Sequence, residues 1–115
     1  MHELSIAINI VEIAQDTAFS AKLHSISEIE IEVGDLSGVI IEALEFAMEE
    51  AVKNTILDGA ERKITKIPAK AKCNNCSTEY DIEDVFTPCP KCSGFDNEIL
   101  SGNELKIKTI IGNTN

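Results

Sequence analysis

Glu28-Ile29-Glu30-Ile31-Glu32-Val33 alternates an acid with a branched aliphatic residue, and Gly34-Asp35 ends the run. Successive side chains of a strand point to opposite faces. This period of two therefore puts Ile29, Ile31 and Val33 on a buried face and the glutamates on a solvated one. We read a strand over 26–33. A sheet face that is apolar must be covered by another layer, and both flanks of this segment offer one. Upstream, Leu4 to about Ser20 reads as a helix, with Leu4, Ile8, Val11 and Ala14 or Gln15 near one face and Asn9, Glu12 and Asp16 polar. Glu3 sits where the positive end of a first helical turn favours a carboxylate. Downstream, Ser37 is the expected N-cap of a second helix to about Lys53, with Ile40, Leu44, Ala47, Met48 and Ala51 on one stripe. Asp58-Gly59 then turns the chain into a second strand near 61–67.

The segment from Pro68 to Leu100 is different in kind, because it holds all four cysteines and all three prolines. After Ser101-Gly102, Glu104 to Ile111 reads as a last strand, with Leu105, Ile107 and Thr109 inward against Lys106 and Lys108 outward. The tail from Gly112 is expected to fray. The order helix, strand, helix, strand, insert, strand predicts an α+β fold: a small three-stranded sheet covered by two helices, with the cysteine module inserted. The expected division is residues 1–67 plus 102–115 for the main domain and 68–101 for the insert.

Composition narrows the function. The chain has 115 residues and a formal net charge of -10. Phosphate backbones are bound by Lys and Arg displacing counterions, so nucleic acid and anionic membranes are poor partners. With four Phe, one Tyr and no Trp, Ile, Leu, Val and Ala must fill the core. No apolar stretch approaches the roughly 20 residues needed to span a bilayer, and the N-terminus lacks the features of a secretion signal. A cytoplasmic location with reduced cysteines is the expectation.

Cys73-Asn74-Asn75-Cys76 and Cys89-Pro90-Lys91-Cys92 are separated by twelve residues. Each CxxC brings two sulfurs onto one tight knuckle, and two knuckles complete a tetrahedral S₄ site, which selects Zn(II). A segment this short, with one Tyr and two Phe, needs metal to fold, a contribution on the order of 10 kcal/mol. Disulfides would need an oxidising compartment, and a thioredoxin-like CxxC would open a helix after a strand. Catalytic zinc needs an open coordination position, which four cysteines do not leave. The insert is acidic, with Glu79, Asp81, Glu83, Asp84, Asp96 and Glu98 against Lys70, Lys72 and Lys91, so it is a poor phosphate binder.

Met1-His2-Glu3 offers a second metal site of a different character. Met before a residue as large as His is not normally trimmed, so the Met1 amine is expected at the terminus. That amine, the His2 amide nitrogen and an imidazole nitrogen of His2 can close fused chelate rings around one cation. Nitrogen donors in a flat array suit Ni(II) or Cu(II). A 17-residue helix followed by an antiparallel eight-residue strand, each roughly 25 Å long, would return Asp35 near His2. Asp35 is thus a further candidate ligand or acceptor to the imidazole, and a solvated turn aspartate otherwise. His24, at the far end of the helix, reads as an exposed helix-end histidine.

Taken together, Met1-His2-Glu3-Leu4-Ser5, Gly34-Asp35-Leu36-Ser37-Gly38-Val39, the two CxxC knuckles and Gly102-Asn103-Glu104-Leu105-Lys106-Ile107 resemble the HypA/HybF family over essentially the whole chain. The resemblance implies a nickel metallochaperone for hydrogenase maturation, in some members also serving urease, and not an enzyme. It implies nickel as transient cargo at His2, with Met1 and Glu3 beside it, and structural zinc at Cys73, Cys76, Cys89 and Cys92. Implied partners are a nickel-handling maturation GTPase of the HypB type, a hydrogenase large subunit and urease maturation proteins; the protein itself is expected as monomer or homodimer. The rival reading is an acidic zinc-ribbon adaptor for nucleic acid or a protein assembly. The chain departs from the family pattern at Ser77 and Ser93, where Gly is expected in many members. Ile40-Ile41 also stands where Asp-Pro is common, which removes one carboxylate from the neighbourhood of the nickel site.

Overall fold

The acid–aliphatic run lies in β1 (Ser25–Gly34), the middle strand of a three-stranded sheet in a computed structural model that describes residues 2–114. It is flanked in parallel by β2 (Glu61–Ile67) and antiparallel by β6 (Leu105–Asn113). Ile29, Ile31 and Val33 are buried, as the period requires. The glutamate column is compensated from both sides. Lys63 Nζ lies 3.7 Å from Glu28, Lys106 Nζ 3.7 Å from Glu32 and Lys108 Nζ 3.8 Å from Glu30. Thr65 also donates its hydroxyl to Glu30 at 3.1 Å. Pairs this exposed contribute about 0.2–1 kcal/mol each, so they relieve like-charge repulsion more than they hold the fold.

Two helices cover the other face: α1 (Glu3–Ser20) and α2 (Ile41–Ala51). The buried side of α1 is Ala7, Ile10, Val11, Ala14 and Ala18, while Leu4, Ile8 and Gln15 are exposed. The expected face was therefore displaced to one side. Three alanines let the helix axis approach the sheet, and close packing of small residues outweighs burying the larger flank. On α2 the expected stripe holds at Leu44, Ala47 and Met48, but Ile40 is exposed. Ser37 is not the N-cap. Its hydroxyl accepts the Val39 N–H at 3.3 Å, and Gly38 at φ 79° turns the chain, delaying the helix to Ile41. The Ile40 N–H at the start of α2 is met instead by Glu3 Oε2 of α1, at 3.5 Å. The helix also ends short of Lys53, because Asn54 adopts a left-handed φ of 62°. The core is aliphatic, and all four phenylalanines, Phe19, Phe46, Phe86 and Phe95, are exposed.

β6 departs from strict alternation. Glu30 is paired with Thr109 and Ile31 with Ile107, which leaves Lys108 as an extra residue in a bulge. The phase of the strand changes there. Ile107 and Ile110 pack against the core, and Thr109, expected inward, is exposed. Gly112 and Asn113 do not fray: they continue the pairing opposite Ile26 and Ser25, and Asn113 accepts the His24 N–H at 2.7 Å.

The insert forms a second antiparallel sheet, with β3 (Lys70–Cys73) between β4 (Glu79–Asp81) and β5 (Asn97–Ser101). Its buried cluster is small: Ala69, Ala71, Cys73, Tyr80, Ile82 and Cys89, with Leu36 and Ile99 packed against it. Leu36 belongs to the segment after β1, so the main domain contributes one plug to the core of the insert. The junction is tied by backbone bonds. Gly34 N–H donates to Glu104 at 2.7 Å, Asp35 N–H to Ile67 at 3.0 Å and Leu36 N–H to Gly102 at 2.7 Å. The three crossing segments approach so closely that a Cβ on Gly34 would lie 2.0 Å from the Gly102 carbonyl oxygen.

Candidate metal centre

Each CxxC is a knuckle built by the same two backbone hydrogen bonds. Cys73 N–H donates to Thr78 at 2.8 Å, and Ser77 N–H donates back to Cys73 at 2.9 Å. Cys89 N–H donates to Gly94 at 2.9 Å, and Ser93 N–H donates back to Cys89 at 2.8 Å. The residue after the second cysteine of each pair is left-handed: Ser77 has φ 63° and Ser93 φ 61°. These are the two positions where the family resemblance led us to expect Gly. The geometry supplies the reason, since only Gly visits this region without cost. Replacing Ser77 or Ser93 with glycine is expected to strengthen zinc retention by about 0.5–1 kcal/mol each. Competition with a chromophoric chelator measures it; unchanged or weaker retention would refute the strain.

The knuckles face each other, and the four sulfurs lie within 4.8 Å of one another. Cys73 Sγ is 3.4 Å from Cys92 Sγ, and Cys76 Sγ is 3.6 Å from Cys89 Sγ. A tetrahedron with metal–sulfur bonds of about 2.3 Å has edges of about 3.8 Å, so the donor set fits a zinc ion with shifts of about 1 Å or less. The Lys91 N–H, 3.4 Å from Cys89 Sγ, would stabilise a thiolate there. Cys73 and Cys89 are buried, Cys76 and Cys92 exposed. Thr78, not singled out from sequence, has its Oγ1 3.2 Å from Cys76 Sγ. The only signal for it was its place five residues after the first cysteine, matching Gly94 in the second knuckle.

The thiols differ in acidity. The Thr78 hydroxyl and backbone bring Cys76 down from 9.0 to about 6. Cys92 goes the other way, to about 12: the Gly94 backbone bond lowers it, but hydrogen bonding to the Cys73 sulfur and burial together overcome that. Cys76 is thus the thiol that ionises most readily as the knuckles assemble, and the metal must displace protons from the rest, so affinity falls with acid.

His2 is exposed at the N-cap of α1. Its side chain caps nothing, while its carbonyl accepts the Ile6 N–H at 3.1 Å. Met1 lies outside the described residues. Asp35 is paired with Lys66 Nζ at 3.6 Å and lines a cleft of about 460 Å³ with Val39, Ile40, Glu42, Lys66 and Glu83. Among the described residues, the four cysteines are the one group of three or more candidate ligands gathered together. His2, Glu3 and Asp35 form no such group, although Glu3 brings the start of α1 against the start of α2. His24 is exposed, as expected.

A family model described as "Hydrogenase/urease nickel incorporation, metallochaperone, hypA" matches residues 1–111. The chain belongs to the HypA family. A hydrogenase maturation factor HypA of Parabacteroides distasonis is 40% identical over 96% of this chain and 96% of its own length. The corresponding protein of Geobacter metallireducens is 36% identical over 96% and 97%. The solution structure of the Ni metallochaperone HypA from Helicobacter pylori matches all of both chains, with a TM-score of 0.72 at 20% identity, which speaks to the fold. The four-cysteine site is compatible with the structural zinc expected of a HypA protein. No helix among the described residues is long and apolar enough to cross a membrane.

Proposed function

We propose that this HypA-family protein is a cytoplasmic nickel carrier for hydrogenase maturation, with zinc resident at Cys73, Cys76, Cys89 and Cys92. It is a delivery protein, not an enzyme. The observation that carries this reading is the family match over residues 1–111, which includes the exposed His2 and the half-buried Glu3 at the start of α1. The cysteine site supports it by exclusion: four sulfurs around one point leave no position for a metal that must be handed on. Nickel would sit on the Met1 amine, the His2 amide and imidazole nitrogens, with Glu3 and Asp35 as neighbouring carboxylates. To join, Asp35 must exchange its contact with Lys66, an exposed pair that is cheap to break. A terminal chelate is accessible and can be surrendered one ligand at a time, as delivery demands. The recipients are a HypB-type GTPase and a hydrogenase large subunit, with urease maturation proteins as an alternative destination. Division of the chain into a nickel domain (1–67 plus 102–115) and a zinc domain (68–101) belongs to the same proposal and is supported by the two separate buried clusters.

Calorimetric titration of zinc-loaded protein with Ni(II) tests it. His2→Ala, and separately a tag fused ahead of Met1, are expected to weaken binding by at least about tenfold, each removing one nitrogen donor. Equal binding by all three proteins would reject the terminal chelate.

A further inference from the structure

The two edges of the first sheet are protected differently. On β2, Arg62 pairs with the buried Ile29 and so stands on the inner face, beside Glu45 and Glu49 of α2. An inward-pointing charge of this kind discourages another strand from pairing there. Among the described residues, β6 has no charge at an inner position. Its inner positions, opposite Val33, Ile31 and Ile29, are Leu105, Ile107 and Ile110, all apolar. None is fully buried, and Leu105 is 38% exposed. α1 lies over this edge. Residues four and eleven apart share a helical flank, so Leu4 and Ile8 fall on the same side of α1 as Gln15 and Phe19. Glu3 and the opposite flank lean on α2. Leu4 is 54% and Ile8 46% exposed. Because the short turn after Ser20 reverses the chain, α1 begins over the end of β1 where β6 also begins. Leu4, Ile8, Leu105, Ile107 and Ile110 thus form half a core along an unpaired strand edge.

We propose that the free edge of β6 is a strand-addition site for an extended segment of a partner protein in which apolar and acidic residues alternate. The inner residues of the added strand would cover Leu4 and Ile8 and complete the burial of Leu105 and Ile107. The outer residues would lie beside Lys106 and Lys108, whose side chains are 63% and 55% exposed although each already faces one glutamate of β1. β6 would then run between two acid–aliphatic strands, since β1 presents that same pattern on its other side. Charge also decides against a second copy of this chain: pairing β6 with β6 sets lysines against lysines, which is unfavourable across a ladder. The net charge of -10 opposes an acidic segment at long range, but that field is screened within about 8 Å at physiological salt. The bulge at Lys108 confines regular pairing to the stretches before and after it. The first stretch, from Leu105, is the one beside the start of α1. Main-chain bonds supply affinity in this mode, and alternate side chains supply selectivity.

The test uses ¹⁵N-labelled full-length protein loaded with zinc and two synthetic octapeptides, one alternating glutamate with valine and one lysine with valine. The glutamate peptide is expected to shift and protect amides of 105–107 and to move the methyl signals of Leu4 and Ile8, leaving 61–67 unchanged. The lysine peptide is expected to bind about tenfold more weakly, and Lys106→Glu with Lys108→Glu to reverse that order. Ile8→Lys, at an exposed position, is expected to weaken both. Shifts at β2 in place of β6, equal binding of the two peptides by the wild type, or a dimer in sedimentation that Ile8→Lys abolishes would each overturn the proposal.

Discussion

Gly34→Ala is expected to destabilise the protein by about 3 kcal/mol or more, measured by urea unfolding of the zinc-loaded chain. The added Cβ would lie 2.0 Å from the Gly102 carbonyl oxygen and 2.7 Å from the Glu104 nitrogen. Both are backbone atoms, so no side-chain rotation relieves the clash. The junction must open instead. With it go the bonds from Gly34 to Glu104 and from Leu36 to Gly102, each 2.7 Å long. Leu36 would be drawn from its seat against the insert's core. Gly59→Ala is the control: nothing lies within 4 Å of its Cβ, and only the strain of φ +88° applies. That strain costs about 1 kcal/mol. Similar losses for the two variants would show that the crossing of segments at Gly34 is not the constraint described.

Removing zinc from the cysteine site is expected to unfold the insert and leave the first sheet standing. The insert's buried cluster has six described residues, two of them cysteines, and its only large members are Tyr80 and Ile82. Such a core cannot offset the ordering of the segment, whereas four metal–thiolate bonds contribute on the order of 10 kcal/mol. The first sheet and its two helices share a cluster of fifteen buried residues among those described, including Ile29, Ile31, Leu44 and Met48. Chelation of zinc, or Cys73→Ser, should therefore collapse the amide signals of 68–101 toward random-coil positions while those of 25–34 keep their dispersion. The contact of Tyr80 with Thr87 and Asn97 reports the same event through tyrosine fluorescence. A chain that loses both sheets together would show that the insert, not the helices, stabilises the whole.

The elements that the sequence made legible are those where one physical rule acts alone. Alternation of Glu28 to Val33 left no second reading of β1, and CxxC spacing left little doubt about four sulfurs meeting. Where several residues compete, the sequence was ambiguous. α1 carries apolar residues on more than one flank, so periodicity selected Leu4 and Ile8 with Val11 and Ala14, while close packing kept only Val11 and Ala14 of these and added Ala7, Ile10 and Ala18. Ser37 had the chemistry of an N-cap, but Gly38 redirected the chain before a helix could start. The inward place expected for Thr109 failed at a single bulged residue, Lys108, because one insertion changes the phase of all that follows. At the start of the chain His2 and Glu3 were legible as candidate donors only; Asp35 proved to face Lys66 and a cleft.

From the sequence alone came the α+β class, the element order, the inserted cysteine module and the acidic character, since each rests on local periodicity, spacing or composition. The tertiary structure alone decided which flank of α1 is buried, that β2 joins β1 in parallel and that the insert has a sheet of its own plugged by Leu36. It also decided that one sheet edge is guarded by Arg62 and the other is open. These depend on which distant segments meet, and contacts between residues far apart in sequence leave no local period to read.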